Sequence, residues 1–428
     1  MISKAEDGDE CYVYIYLPES VQAVTAGRLR LRRNLQGVTT GQFVYGREYL
    51  KRPDAVEVDP VHLQLSRTRY DTVLMEGIFG ALRDAGPDYW GRRIIEKHAG
   101  VSSLRELDYL LLSADDRAGA LGFGIGKEPP APVRHFNKTI ELARLQALAD
   151  LIVSGEQGKE GNASFGSTQM LEELLLIGTS MGGARPKAVV EDGEGLWLAK
   201  FNRTDDRWDN ARVEHAMLVL GRLCGLTTAE SRIEQVAGRS VLLVKRFDRK
   251  LTAAGADYHR SRMVSALTLL GADESLSSRN RWSYLTLVEI LRRITDYPEQ
   301  NAHELFRRVC FNALISNTDD HPRNHAIIAP HRSWFLAPAY DLNPSIPSSI
   351  ERRELAMECG NMGRYANARN LLSQSARFFL SESDARAIIE NMEKQIVTSW
   401  YDVARRSGVT EHDCQAIAPA FAYPGFRM

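Results

Sequence analysis

The stretch Asn317-Thr318-Asp319-Asp320-His321-Pro322-Arg323-Asn324 sets a carboxylate five positions before an amide. Ala339-Tyr340-Asp341 adds a second carboxylate after an expected β-hairpin. Phosphoryl transfer needs this set of groups: one aspartate orients a hydroxyl nucleophile, while an asparagine and a further aspartate hold magnesium against nucleotide phosphates. Only Asp319 has the five-residue offset to Asn324, so it is the candidate catalytic residue. Asn324 and Asp341 are the candidate magnesium ligands. Asp320 is expected to stay solvated or to support the loop, and His321 to donate a hydrogen bond that shapes it. Asp341 has a second reading, because Asp-Leu-Asn-Pro is strong turn chemistry.

Such a loop needs a nucleotide site upstream. In Gly178-Thr179-Ser180-Met181-Gly182-Gly183-Ala184-Arg185-Pro186-Lys187, small residues let backbone amides approach phosphate oxygens, and Ser180 adds a hydroxyl. The segment fits neither the Walker A pattern nor GxGxxG, and a tight turn has the same composition. Its candidate ATP contacts are Ser180, Met181, Gly182, Gly183 and Lys187. Lys200 ends an apolar strand, where an ammonium either binds α- and β-phosphates or snorkels to solvent. Glu214, on the next helix, is placed to pair with it or to sit on a solvated face. Lys245-Arg246-Phe247 leaves a third strand, either as an ordinary exit or as a hinge. A hinge there offers adenine the backbone at Lys245 and a ring to pack on at Phe247.

Around these groups, residues 11–65 read as short strands and 70–112 as helix, with Leu74, Ile78 and Leu82 at i, i+4 spacing. Gly126–Pro132 reads as a linker, 139–153 as helix and 154–167 as a loop. Strands are expected at 188–190, 196–200 and 241–244, and a helix at 213–223 with Met217, Leu220 and Leu223 on one face. Beyond about Ser261 the pattern is mostly helical, interrupted by the catalytic-loop hairpin. The 428 residues are 44% hydrophobic with a formal net charge of -1, enough for a sizeable core and no argument for a naked nucleic-acid or membrane binder. Five scattered cysteines fit reduced thiols, the acidic start is unlike a signal peptide, and no apolar run approaches a membrane span. A cytoplasmic protein is expected.

Phosphate loop, strand lysine, helix glutamate, hinge, Asp-x4-Asn and Asp follow one another in the order of a bilobal kinase. The segments Ser180–Lys187, Leu198-Ala199-Lys200-Phe201, Val244–Arg249, Asn317–Asn324 and Leu336–Leu342 together resemble the HipA-type serine/threonine kinases, toxins of bacterial toxin–antitoxin pairs. Gly41–Leu50 and Asp116–Leu121 are similar to that family's N-terminal subdomain. The resemblance implies an α+β, bilobal kinase-like fold using ATP and magnesium. Its parts would be an N-terminal β-rich subdomain (1–125), a mixed α/β N-lobe with the phosphate loop (137–258) and an all-helical C-lobe (259–428). It further implies autophosphorylation at Ser180 that expels the phosphate loop and silences the enzyme. Its partners would be a protein substrate and a small helix-turn-helix antitoxin that brings the pair to operator DNA. Asp320 stands where a glycine is common in the family.

Two other functions compete with this one. A catalytically weak kinase-fold corepressor would act by binding the antitoxin on DNA; the intact catalytic set weighs against it. A metal-dependent hydrolase would use Asp319, Asp320, His321 and His325, but no HxH or HExxH spacing supports it.

Overall fold

The computed structural model describes residues 9–101, 103–132, 136–154, 185–255, 257–346 and 349–427. The chain divides into two compact units, Met1–Leu198 with Asp248–Val264 and Ile328–Arg332, and Ala199–Phe247 with Ser265–Ile327 and Ser333–Met428. Among the described residues no helix is long and apolar enough to cross a membrane. All five cysteines are free thiols.

In the first unit, aromatic and β-branched residues build an antiparallel sheet in the spatial order Tyr70–Thr72, Thr39–Tyr45, Ala23–Arg33, Glu10–Tyr16, Leu121–Gly124. Val13, Ile15, Leu29 and Phe43 are fully buried. The helix expected across Leu74, Ile78 and Leu82 does not form. A strand (Tyr70–Thr72) and a turn over Leu74–Gly77, with Met75 and Glu76 in the left-handed region at φ +46° and +56°, precede the short helix Gly80–Asp84. The cause is a backbone contact: Gly77, at φ +86°, presses against Gly41, and a Cβ on Gly41 would lie 1.6 Å from the Gly77 carbonyl oxygen. Only glycine permits that approach. Ile78 and Leu82 are buried, whereas Leu74 is exposed.

Further along this unit, Lys187–Asp192 pairs in parallel with Asn137–Lys138 and lies beside Gly195–Phe201, a strand whose last residues open the second unit. Val189, Leu196 and Leu198 form a small core against Phe136 and Tyr258.

In the second unit, Ser231–Val236 and Arg239–Lys245 form an antiparallel pair, and the helix Asn210–Leu223 buries Val213, Ala216, Met217 and Leu220. Leu223, expected on that face, is exposed: with Arg222 it lies on the solvent side of the last turn, whose Leu220 and Gly221 are buried. The chain beyond 261 departs from the helical expectation twice. Arg262–Ser265 is a strand, and the described residues of 337–367 contain no helix. Pro338, Pro344, Gly360 and Gly363 break helical geometry there, and isolated bridges such as Glu354 with Tyr365 replace it. The expected hairpin is present as Ala326–Ala329 and Phe335–Leu336.

The long helix Pro298–Leu314 delivers the chain to the catalytic-loop segment through Ser316, which adopts left-handed φ +54°. A non-glycine residue pays conformational energy there, and its surroundings hold it. The Ser316 hydroxyl donates to the Ala420 carbonyl at 2.5 Å and accepts from the buried Arg353 guanidinium. Arg353 also donates to the carbonyls of Ser349, Pro419 and Ala420 at 3.2, 2.8 and 3.0 Å, and lies 4.2 Å from the Tyr423 ring centroid. Arg353→Ala removes the donor to the Ser349 and Pro419 carbonyls and to the Ser316 hydroxyl, and should destabilise the second unit by about 3 kcal/mol. Arg353→Lys should recover less than half of that, since one ammonium cannot reproduce the guanidinium fork. Chemical denaturation of the three proteins checks this; an unchanged midpoint for Arg353→Ala removes Arg353 as the clamp.

Candidate active site

Gly195–Phe201 is apolar except at Lys200, whose side chain is 14% exposed. The next helix starts at Asp209, whose carboxylate accepts from the Arg212 amide at 3.1 Å. That cap phases the helix so that Glu214 falls on its buried face. Lys200 Nζ donates to Glu214 Oε1 at 2.6 Å and to Asp341 Oδ1 at 3.1 Å. Burial works to lower the lysine's pKa, but the charges of Asp341 and Glu214 outweigh it and hold the ammonium above its ordinary value. The Glu214 carboxyl is raised, by burial first, with Lys200 opposing and Asp341 reinforcing. With both carboxyls ionised the cluster carries one ammonium against two carboxylates, an imbalance that a cation would relieve.

Asp341 sits at φ +59°, a conformation aspartate tolerates better than most residues. Beside it the Tyr340 hydroxyl donates to the Arg323 carbonyl at 2.7 Å, which ties the Asp341 segment to the catalytic loop. That loop closes on itself. The His321 amide donates to the Asp319 carbonyl at 2.8 Å, and the Asn324 amide donates to the His321 carbonyl at 2.9 Å across the 3-10 turn Pro322–Asn324. Asn324 Nδ2 lies 3.3 Å from the Asp319 carbonyl oxygen. Asp319 itself is exposed. Its carboxyl is nevertheless held above the usual range, by partial loss of water and by the charges of Asp341 and Asp320, with His321 and Arg279 opposing. The His321 ring packs 6.5 Å from the Trp282 ring.

Asp320 is buried, and its Oδ2 accepts from the Tyr284 hydroxyl, from Asn312 Nδ2 at 2.6 Å and from His325 Nε2 at 2.8 Å. Of its two expected states, solvated or supporting, the second holds. Tyr284 and Asn312 escaped the sequence reading, since a tyrosine opening an apolar helix reads as core. Asn312 left a signal, a lone amide within the apolar run Val309–Ile315. His325, weighed only as a hydrolase ligand, is engaged by Asp320. Among the described residues no group of three or more His, Cys, Asp or Glu gathers as a metal cluster.

Lys245 Nζ pairs with Glu230 at 3.1 Å, and the half-buried Phe247 ring lies 5.7 Å from that of Tyr340. Lys187 lies in the first unit, where its buried ammonium is paired with Asp88, whose other oxygen caps the helix Tyr89–Ala99. Ser180, Met181, Gly182 and Gly183 lie outside the described residues.

Residues 20–124 match the HipA N-terminal domain, and residues 179–400, more than half of the chain, match the HipA-like C-terminal domain. Two Sinorhizobium fredii (strain NBRC 101917 / NGR234) proteins are similar in sequence. "Putative kinase Y4dM" is 26% identical over 303 residues, 68% of this chain and 67% of that relative. "Putative kinase Y4mE" is 27% identical over 165 residues, so the match takes in only 38% of each chain. Among solved structures, the fold is similar to a Shewanella oneidensis MR-1 toxin–antitoxin complex of HipA, HipB and operator DNA. The TM-score is 0.61 with 15% identity, over 94% of both chains. With its N-terminal and C-terminal domains both matched, this chain belongs to the HipA family.

Proposed function

We propose that this chain is an ATP- and magnesium-dependent protein serine/threonine kinase acting in the cytoplasm as the toxin of a toxin–antitoxin pair. The observation that carries the reading is the cluster of Lys200, Glu214 and Asp341, whose last member is also charge-coupled to Asp319. A strand lysine held by a helix glutamate presents a fixed positive charge to ATP phosphates. Asp319 accepts the proton of, and orients, the acceptor hydroxyl; its raised pKa improves it as a proton acceptor. The backbone at Lys245 and the Phe247 ring are assigned to adenine. The carboxylate of Asp341 and the amide oxygen of Asn324 are hard oxygen donors of the kind magnesium takes. When bound, the metal would neutralise charge on the phosphates. A phosphate contact from Lys187 requires its ammonium to leave Asp88.

The partners proposed are a protein substrate, a small helix-turn-helix antitoxin and, through the antitoxin, operator DNA. The S. oneidensis complex, which holds an antitoxin and operator DNA, supports this. Ser180 is proposed as the self-silencing site. A phosphoryl group there adds roughly -1.5 to -2 charge at neutral pH in a loop that would otherwise receive ATP phosphates.

Three measurements test the proposal. ATP should raise the thermal stability of the protein only with magnesium, equivalent to about 2.7 kcal/mol at a hundredfold excess over the dissociation constant. Asp341→Ala should abolish most of that shift; equal stabilisation in both proteins would remove Asp341 from the metal site. Asp319→Asn should lower phosphoryl transfer by about 10²- to 10⁴-fold with nucleotide binding kept, and growth arrest on overexpression should go with it. Turnover surviving in Asp319→Asn and lost in Asp320→Asn would reverse the choice of base. Incubation of the wild type with ATP should phosphorylate Ser180 and progressively inactivate the enzyme, at a rate rising with protein concentration. Phosphate mapped only elsewhere in an active preparation defeats that assignment.

A further inference from the structure

Asp320 and His325 bracket the catalytic loop, one directly after Asp319 and the other directly after Asn324. Their side chains meet: His325 Nε2 lies 2.8 Å from Asp320 Oδ2, with both residues almost wholly buried. A carboxylate oxygen only accepts, so Nε2 carries the hydrogen and the ring donates. The same Oδ2 receives the hydroxyl of Tyr284, the first residue of the helix Tyr284–Ile294, and Nδ2 of Asn312 from the helix Pro298–Leu314. Asn312 in turn accepts from Asn317 Nδ2 at 3.1 Å, so the entry to the loop joins the same network. The rings of Tyr284 and His325 meet edge to face at 5.5 Å.

We infer that Asp320 and His325 are positioning residues that clasp the catalytic loop and set the spacing between Asp319 and Asn324. The argument is geometric. Between Asp319 and Asn324 the turn makes only two backbone bonds, His321 amide to Asp319 carbonyl and Asn324 amide to His321 carbonyl, and one longer side-chain bond, Asn324 Nδ2 to the Asp319 carbonyl at 3.3 Å. Proline at 322 has no amide to add a third backbone bond. A turn so short holds its shape poorly by itself, whereas a side-chain bond across its ends fixes the distance from the first residue to the last. Anchoring that bond on two helices makes the loop rigid relative to the core of the second unit. The inference rests on the kinase reading for its consequence in catalysis, but the clasp itself is a property of the fold.

Two readouts on the full chain test it. In the first, hydrogen exchange is followed at the His321 and Asn324 amides. His325→Phe keeps a ring against Tyr284 and removes the donor, so both amides should exchange faster. His325→Gln, whose amide nitrogen takes the place of Nε2, should restore most of the protection. In the second, phosphoryl transfer is measured against magnesium concentration. His325→Phe should lower kcat by about tenfold to a hundredfold and raise the magnesium needed for half-maximal rate. His325→Gln should recover most of both, which a residue needed only for stability would not do selectively. Should His325→Phe fail to fold, Tyr284→Phe deletes one hydroxyl from the same carboxylate and carries the same expected direction. Unchanged amide protection in the folded variant overturns the clasp, whether or not the protein transfers phosphate. Altered protection in His325→Phe, with a wild type that transfers no phosphate, supports the clasp and sinks the kinase reading instead.

Discussion

The site of the second unit depends on one ammonium held between two carboxylates. Lys200 reaches Glu214 from a strand and Asp341 from a loop far along the chain, so three separate segments converge on a single charge. A buried ion pair is weak evidence for stability, because desolvation offsets much of its attraction. Apolar residues at 200 and 214 would fit the surrounding core with less penalty. What the ion pair contributes instead is a defined position: an ammonium bonded to both Glu214 and Asp341 is held at one place between strand, helix and loop. Removing it would set Glu214 and Asp341 against each other with no cation between them.

Particular contacts in this unit hold those three segments in place. The strand is fixed by its apolar residues and the helix phase by the Asp209 cap. Asp341 is fixed by Tyr340, whose hydroxyl reaches the backbone of Arg323 inside the catalytic loop. The loop is steadied from below as well. Ser316, in its left-handed conformation, is gripped by Arg353 and by the carbonyl of Ala420 near the end of the chain. Residues about a hundred positions downstream therefore set the exit angle of the helix that carries the catalytic segment.

How much of this the sequence discloses follows from the reach of each signal. The strands at 188–190, 196–200 and 241–244 and the helix around 213–223 are local, and their apolar periodicity marks them. The order of Lys200, Glu214, Asp319, Asn324 and Asp341 is legible because chemistry restricts the residue types. The misread elements have non-local causes. Leu74, Ile78 and Leu82 have helical spacing, yet a backbone contact between Gly41 and Gly77, distant in sequence, breaks the segment. The described residues of 337–367 are irregular, held by isolated backbone bridges that give no period to read. The pairing of Lys187 with Asp88 was beyond reach for the same reason, as the two lie far apart in the chain.

Asp319 and Asp320 show most directly how context divides the work of identical neighbours. Successive residues entering a turn point to different sides, so one carboxyl faces solvent while the other enters the core. The outer one stays exposed, and partial loss of water together with the charges of Asp341 and Asp320 lifts its proton affinity. The inner one is surrounded by a phenol, an amide and an imidazole, all donors, and has no path to a substrate. Exchanging the roles would require the backbone to rotate and would leave three buried donors without an acceptor, each costing on the order of 1–3 kcal/mol. The buried aspartate thus fixes which of the two faces solvent. In this chain packing beneath the loop, as much as the spacing to Asn324, leaves Asp319 and not Asp320 at the surface.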